Sequence, residues 1–206
     1  MRVVLGFCLL WSLWACTEER IPIPKPRVYP KVNYPERQYT RLDKTYCNFN
    51  FEYPDYMQFE QDTTLGNQLA KHPCWVVLQM PALNGSIHFT YTDISGSGET
   101  ENRLFDIIQD SYNLTEKHNI KANGRDETPF ADRSRKFYGI IYEVDGDVAS
   151  PYHCIVTDSV QHAVWASLYF NSLPNADSMA PVVAYVQEDL DRILETFQWN
   201  DQPISE

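Results

Sequence analysis

The sequence predicts an α+β fold, an antiparallel sheet covered by helices. Short apolar runs separated by Gly, Pro, Asn and Asp recur through the body and read as hairpin-linked strands. Two other stretches, one mid-chain and one near the C-terminus, repeat their apolar residues every three or four positions and read as helices that cover the sheet. The 206 residues, 43% of them hydrophobic, suit one compact domain with a tail. A net charge of −11 excludes nucleic acid as a partner, because that association needs Lys and Arg to displace counterions from phosphate.

Residues Met1 to Ala15 carry one charge, Arg2, and an apolar run too short to remain as a membrane span. The run ends in Leu13-Trp14-Ala15-Cys16, a pattern that resembles the bacterial lipobox, in which the cysteine is lipidated before cleavage. Residues 1–15 are therefore expected to be a lipoprotein signal peptide and Cys16 the lipidated residue. Pro22, Pro24, Pro26, Pro30 and Pro35 follow; proline fixes φ and removes donors, so residues 16–37 read as a semi-rigid, lipid-anchored linker. Residues 38–206 are then a single globular domain. Acyl chains on Cys16 would hold an acidic body at a membrane surface without crossing it.

Phe49, Phe51 and Tyr53 alternate with Asn48, Asn50 and Glu52, the period of a half-buried strand, and Pro54 ends the run. Cys74 to Met80 is apolar apart from Gln79 and reads as a central strand. Asn84-Gly85 turns the chain into a partner strand carrying Ile87, Phe89 and Tyr91. Ser95 to Gly98 breaks the pattern. Leu104, Ile107, Ile108 and Tyr112 then form the stripe of an amphipathic helix that ends near His118 and packs on one sheet face. Ile120 to Arg135 is polar and irregular, and is expected to be a long loop.

Phe137 to Val144 and Val148 to Thr157 flank Asp145-Gly146, a hairpin signal, and Ala163 to Phe170 supplies a further strand containing Trp165. Ser178 is the expected cap of a C-terminal helix with Pro181 in its first turn. Its buried stripe is Val182, Val186, Leu190, Ile193, Leu194 and Phe197. The order of elements is similar to the PsbP/Mog1-like sandwich.

Five cysteines are present. With Cys8 in the signal and Cys16 lipidated, Cys47, Cys74 and Cys154 remain in the body. A bridge between Cys47 and Cys74, at the starts of two strand-like runs, is the preferred pairing in an exported protein, and it leaves Cys154 as a buried thiol. No C-x-x-C pair or close Cys/His cluster occurs, so no metal site and no cofactor are expected.

The histidines, His72, His88, His118, His153 and His162, are scattered. The segment from His153 to His162 contains Asp158 and Ser159, and so holds each residue type of a Ser-His-Asp hydrolase. Ser159 lacks the Gly-x-Ser-x-Gly elbow that exposes a nucleophile, and Asp-Ser between two apolar runs reads more simply as a turn. No catalytic residue is assigned; Asp158, Ser159 and His162 are taken as a possible interaction surface.

Several colinear strings resemble the gliding motility lipoprotein GldD family of Bacteroidetes. They are Ile23-Pro24-Lys25-Pro26-Arg27, Phe51-Glu52-Tyr53-Pro54, Cys74-Trp75, Ala149-Ser150-Pro151, Thr157-Asp158-Ser159 with His162, Ala166 to Asn171, Pro174 to Ser178, and Glu195 to Trp199. The resemblance implies a cell-envelope lipoprotein, on the outer-membrane or periplasmic side, that supports gliding motility and the associated type IX secretion machinery. Its partners would be the membrane, through the lipid, and other gliding or secretion proteins. A non-enzymatic assembly or scaffolding role is the leading expectation. A small-ligand or polysaccharide-binding module, and a serine hydrolase using Ser159 and His162, are the alternatives.

Overall fold

A computed structural model describes residues 31–62, 64–65, 68–70, 72–95, 100–118 and 122–200. In chain order the elements are β1 (Tyr39–Leu42), β2 (Phe49–Pro54), β3 (Gln58–Gln61), β4 (Thr64–Leu65), β5 (Gln68–Leu69), β6 (Val76–Met80) and β7 (Gly85–Asp93). Helix α1 (Thr100–His118), β8 (Ala122–Asp132), β9 (Phe137–Gly146), β10 (Tyr152–Thr157), β11 (His162–Phe170), α2 (Ala176–Thr196) and β12 (Gln198–Trp199) complete it. The fold is α+β.

Seven strands form one sheet in the order β3-β6-β7-β11-β10-β9-β8, and every neighbouring pair is antiparallel. Alternation sends Val76, Leu78, Ile87, Phe89, Val164 and Leu168 to one face, where a small sheet, β1-β2-β12, and helix α2 cover them. Phe49 and Phe51 of β2 stack on Phe197, and Val182, Val186, Leu190 and Ile193 of α2 close the same core. Each fully buried side chain of this size contributes about 1.5–3 kcal/mol. Helix α1 lies toward the opposite face, where its Tyr112 ring sits 4.4 Å from the Arg125 guanidinium of β8. Among the described residues, no helix is long and apolar enough to cross a membrane.

The sequence expectation of a loop from Ile120 to Arg135 is overturned: Ala122–Asp132 is the eleven-residue strand β8, paired throughout with β9. It lies at the sheet edge with most side chains in solvent, so it shows no apolar alternation and joins the fold through its backbone. Pro129 is compatible with that position, because an edge strand does not need every N–H.

The β9–β10 connection is also longer than a two-residue turn. Strand β9 continues to Gly146, whose φ is 122°, and β10 begins at Tyr152, not Val148. The intervening chain is held by Val148 N–H to Gly146 O, Val144 N–H to Pro151 O, and the buried Ser150 hydroxyl to Leu168 O. The cap of α2 is Asn175, whose side chain accepts from Ser178 N–H, and Pro181 lies inside the helix. Ser178 is therefore the residue being capped. Most of the expected break from Ser95 to Gly98 lies outside the described residues.

Candidate functional site

Asp158, Ser159 and His162 meet at the β10–β11 connection. Asp158 Oδ1 accepts from the backbone N–H groups of Val160, Gln161 and His162 at 2.9, 2.8 and 2.8 Å. Ser159 takes a φ of 67°, and its own N–H donates to Thr157 Oγ1. One carboxylate thus satisfies three turn donors that the strand ladder leaves over. The Ser159 side chain is exposed, and none of the histidines with a described side chain is hydrogen-bonded to it.

The His162 ring turns inward instead. It is 3% exposed, its Nδ1 lies 2.7 Å from the Tyr91 hydroxyl, and it stacks on Trp199 at 5.3 Å. His72 also rests against Tyr91, with ring centres 4.4 Å apart. Burial, with Asp93 and Asp158 nearby, pushes the Tyr91 hydroxyl above its ordinary pKa, and burial lowers that of His72. These residues pin the hairpin to the small sheet; they do not present a nucleophile with its base.

Serine–histidine pairs do occur elsewhere, on the sheet face turned away from α2. Ser86 Oγ is 3.0 Å from His88 Nε2, and Asp62 Oδ2 is 3.9 Å from His88 Nδ1. Two strands away, His153 Nδ1 is 2.9 Å from Ser167 Oγ. Strand alternation places Ser86 and His88 on one face, but the pairing of His153 with Ser167 depends on register and had no signal in the sequence. Ser86 and Ser167 are both buried, 5% and 3% exposed, so their hydroxyls serve the imidazoles and not a substrate. Among the described residues, no group of three or more His, Cys, Asp or Glu side chains is placed to hold a metal ion.

The cysteines Cys47 and Cys74 are joined, with Cα atoms 5.0 Å apart, which ties the start of β2 to the segment leading into β6. Cys154 is a free thiol in the core, and burial pushes its pKa up. Cys16 lies outside the described residues.

The body-side end of the Pro-rich linker is docked along α2, a feature with no sequence signal. Arg37 donates from Nε to Asp189 at 2.7 Å, from Nη1 to Glu188 at 2.6 Å and from Nη2 to Tyr185 O at 2.7 Å. Its guanidinium also lies 3.8 Å from the Tyr185 ring centre. The Tyr185 hydroxyl donates to Pro35 O, and Tyr34 packs on the same ring at 4.6 Å. Asp189 is fully buried and also accepts from the Tyr56 hydroxyl, so the charge is compensated on two sides. Burial nevertheless holds Asp189 above the usual carboxylate range.

Comparison with solved structures finds the solution structure of cyanobacterial PsbP (CyanoP) from Synechocystis sp. PCC 6803, at a TM-score of 0.50 and 13% identity. The match covers 82% of this chain and 97% of that one, and at this identity it shows a shared fold. Among curated proteins, none matches in sequence. The family model of gliding motility lipoprotein GldD matches residues 19–199. Spanning β1 to β12, helices α1 and α2 and the docked residues 31–37, that match establishes that the chain belongs to the gliding motility lipoprotein GldD family.

Proposed function

We propose that the protein acts by contact in the cell envelope, as a non-enzymatic assembly component that supports gliding motility and the associated type IX secretion machinery. Lipid on Cys16 tethers it, on the outer-membrane or periplasmic side, and its partners are other proteins of that machinery. The observation that carries this reading is the grip of Arg37, Tyr34 and Pro35 on α2, which makes the body-side end of the linker part of the body. A protein that only needed to stay near a membrane would gain nothing from such a grip. One that holds partners in register would.

Replacing Cys16 by Ala in the native cell tests it. Membrane fractionation should show the protein released, with motility lost. Ser159→Ala should leave motility intact, since that side chain is exposed at a turn and bonded to no histidine whose side chain is described. Full motility with the untethered protein would sink the reading, and loss of motility in Ser159→Ala at normal protein level would revive the hydrolase.

A further inference from the structure

Helix α2 has two free flanks. The linker occupies one, through Tyr185, Glu188 and Asp189. At 100° per residue, Ala180, Val183, Gln187 and Asp191 lie about half a turn away. That second flank borders a trough over β9 and β8, along which three cavities open. The first, about 220 Å³, is walled by Val144, Val148, Phe170, Met179 and Val183. Thr128, Glu143, Tyr152 and Asp191 line the second, about 290 Å³. Phe130, Ile141, Arg135 and Leu194 line the third, about 360 Å³. Gln187 borders the first and second and donates from Nε2 to Glu143, bridging α2 and β9 between them, while Ile141 and Asp191 border both the second and third.

The middle of the trough is acidic, between end cavities with largely apolar walls. Glu143 and Asp191 sit at the middle, Asp145 and Glu195 toward the ends, while Arg135 is engaged by Asp132 and the last carbonyls of α2. Tyr152 lines the middle cavity and is 3% exposed, and its buried hydroxyl has no hydrogen-bond partner among the described residues. A buried hydroxyl left unpaired costs about 1–3 kcal/mol, so a ligand group that reaches it is favoured. Crowding by Glu195 and Glu188, added to burial, holds Asp191 above its ordinary pKa, an environment that a cation would relieve.

We propose that this trough is the docking site for an extended peptide segment of another envelope protein. A bulky apolar side chain of the segment fills the first cavity, and a lysine or arginine reaches Glu143 and Asp191. From Val183 to Asp191 the helix rises about 12 Å, which matches side chains four residues apart on one face of an extended chain. The inference rests on the reading of this protein as one that works by contact. Tyr34, Pro35 and Arg37 of the chain's own linker are already engaged on the opposite flank.

The test is photocrosslinking in native cells, with the full-length protein carrying a photoreactive residue in place of Ala180, and Val160 at the distant hairpin as control position. Mass spectrometry then maps the crosslinked peptide. Expected is a segment of another envelope protein with an apolar residue and a Lys or Arg four positions apart, captured from Ala180 and not from Val160. Asp191→Lys, an exposed change, should reduce that crosslink about tenfold, equivalent to about 1.4 kcal/mol. Adding Glu143→Lys should reduce it further at unchanged protein level. Crosslinks to residues 20–31 of this chain, to a second copy, or to acidic peptides would overturn the proposal. So would a crosslink indifferent to Asp191→Lys, or none. If the trough fails while Cys16→Ala still abolishes motility, the contact reading stands and only its surface is wrong.

Discussion

Asp158 shows how a residue chosen for its chemistry can serve geometry instead. Its carboxylate holds three backbone N–H groups at the β10–β11 turn, so Asp158→Ala leaves them to solvent and should lower stability by about 1–2 kcal/mol. For a chain of this size Tm falls by about 2–4 °C per kcal/mol, and a thermal melt with no change would contradict the role. Histidines His72 and His88 carry a pH dependence. Burial lowers both, against the raising influence of Asp93 on the first and Asp62 on the second. The unfolded chain takes up protons at these rings near pH 6.5 while the folded chain resists, so stability present above that pH is lost below it. The double variant His72→Gln, His88→Gln should therefore show a flatter fall in Tm between about pH 7 and pH 5. A slope equal to that of the parent would show that the rings titrate as in water.

Among the elements, those that bury one face against the core were legible in the sequence. Strand β2, strand β7 and the stripe of α2 carry alternation or helical spacing, whereas β6 and β11, covered on both faces, show as near-continuous apolar runs. Strand β8 was not legible, since at the edge its pairing depends on backbone groups that every residue supplies. The grip of Arg37 on Asp189 was invisible for another reason: 152 residues separate the partners, and no local pattern reports such a meeting. Nor could the trough be read, because it is the space left between α2 and two strands. One test bears on how β8 is seated. A Cβ on Gly139 of β9 would lie 2.1 Å from Ile155 O and 2.4 Å from Phe130 Cζ, so the ring of β8 occupies the place of that side chain. Gly139→Ala should lose about 1–3 kcal/mol in chemical denaturation and expose β8 amides to rapid hydrogen exchange. Unchanged protection would place the ring elsewhere.

At the scale of the whole molecule, the Cys47–Cys74 bond joins the approaches to the three-stranded and seven-stranded sheets across a separation of 27 residues. Opening it should lower stability by about 3 kcal/mol in the chain-entropy account. Denaturation with and without reductant measures this, and equal midpoints would refute it. Cys154 should stay unreactive to thiol reagents until the core opens, because it is 1% exposed. The linker adds a mechanical consequence. Tyr34 and Pro35 meet Tyr185, Arg37 meets Asp189, and Tyr39 lies beside Arg192, so the segment runs parallel to α2 in the same direction. A pull directed along that shared axis loads the strap lengthwise, and its fastenings then yield together, as in shear, instead of peeling away one after another like a zip.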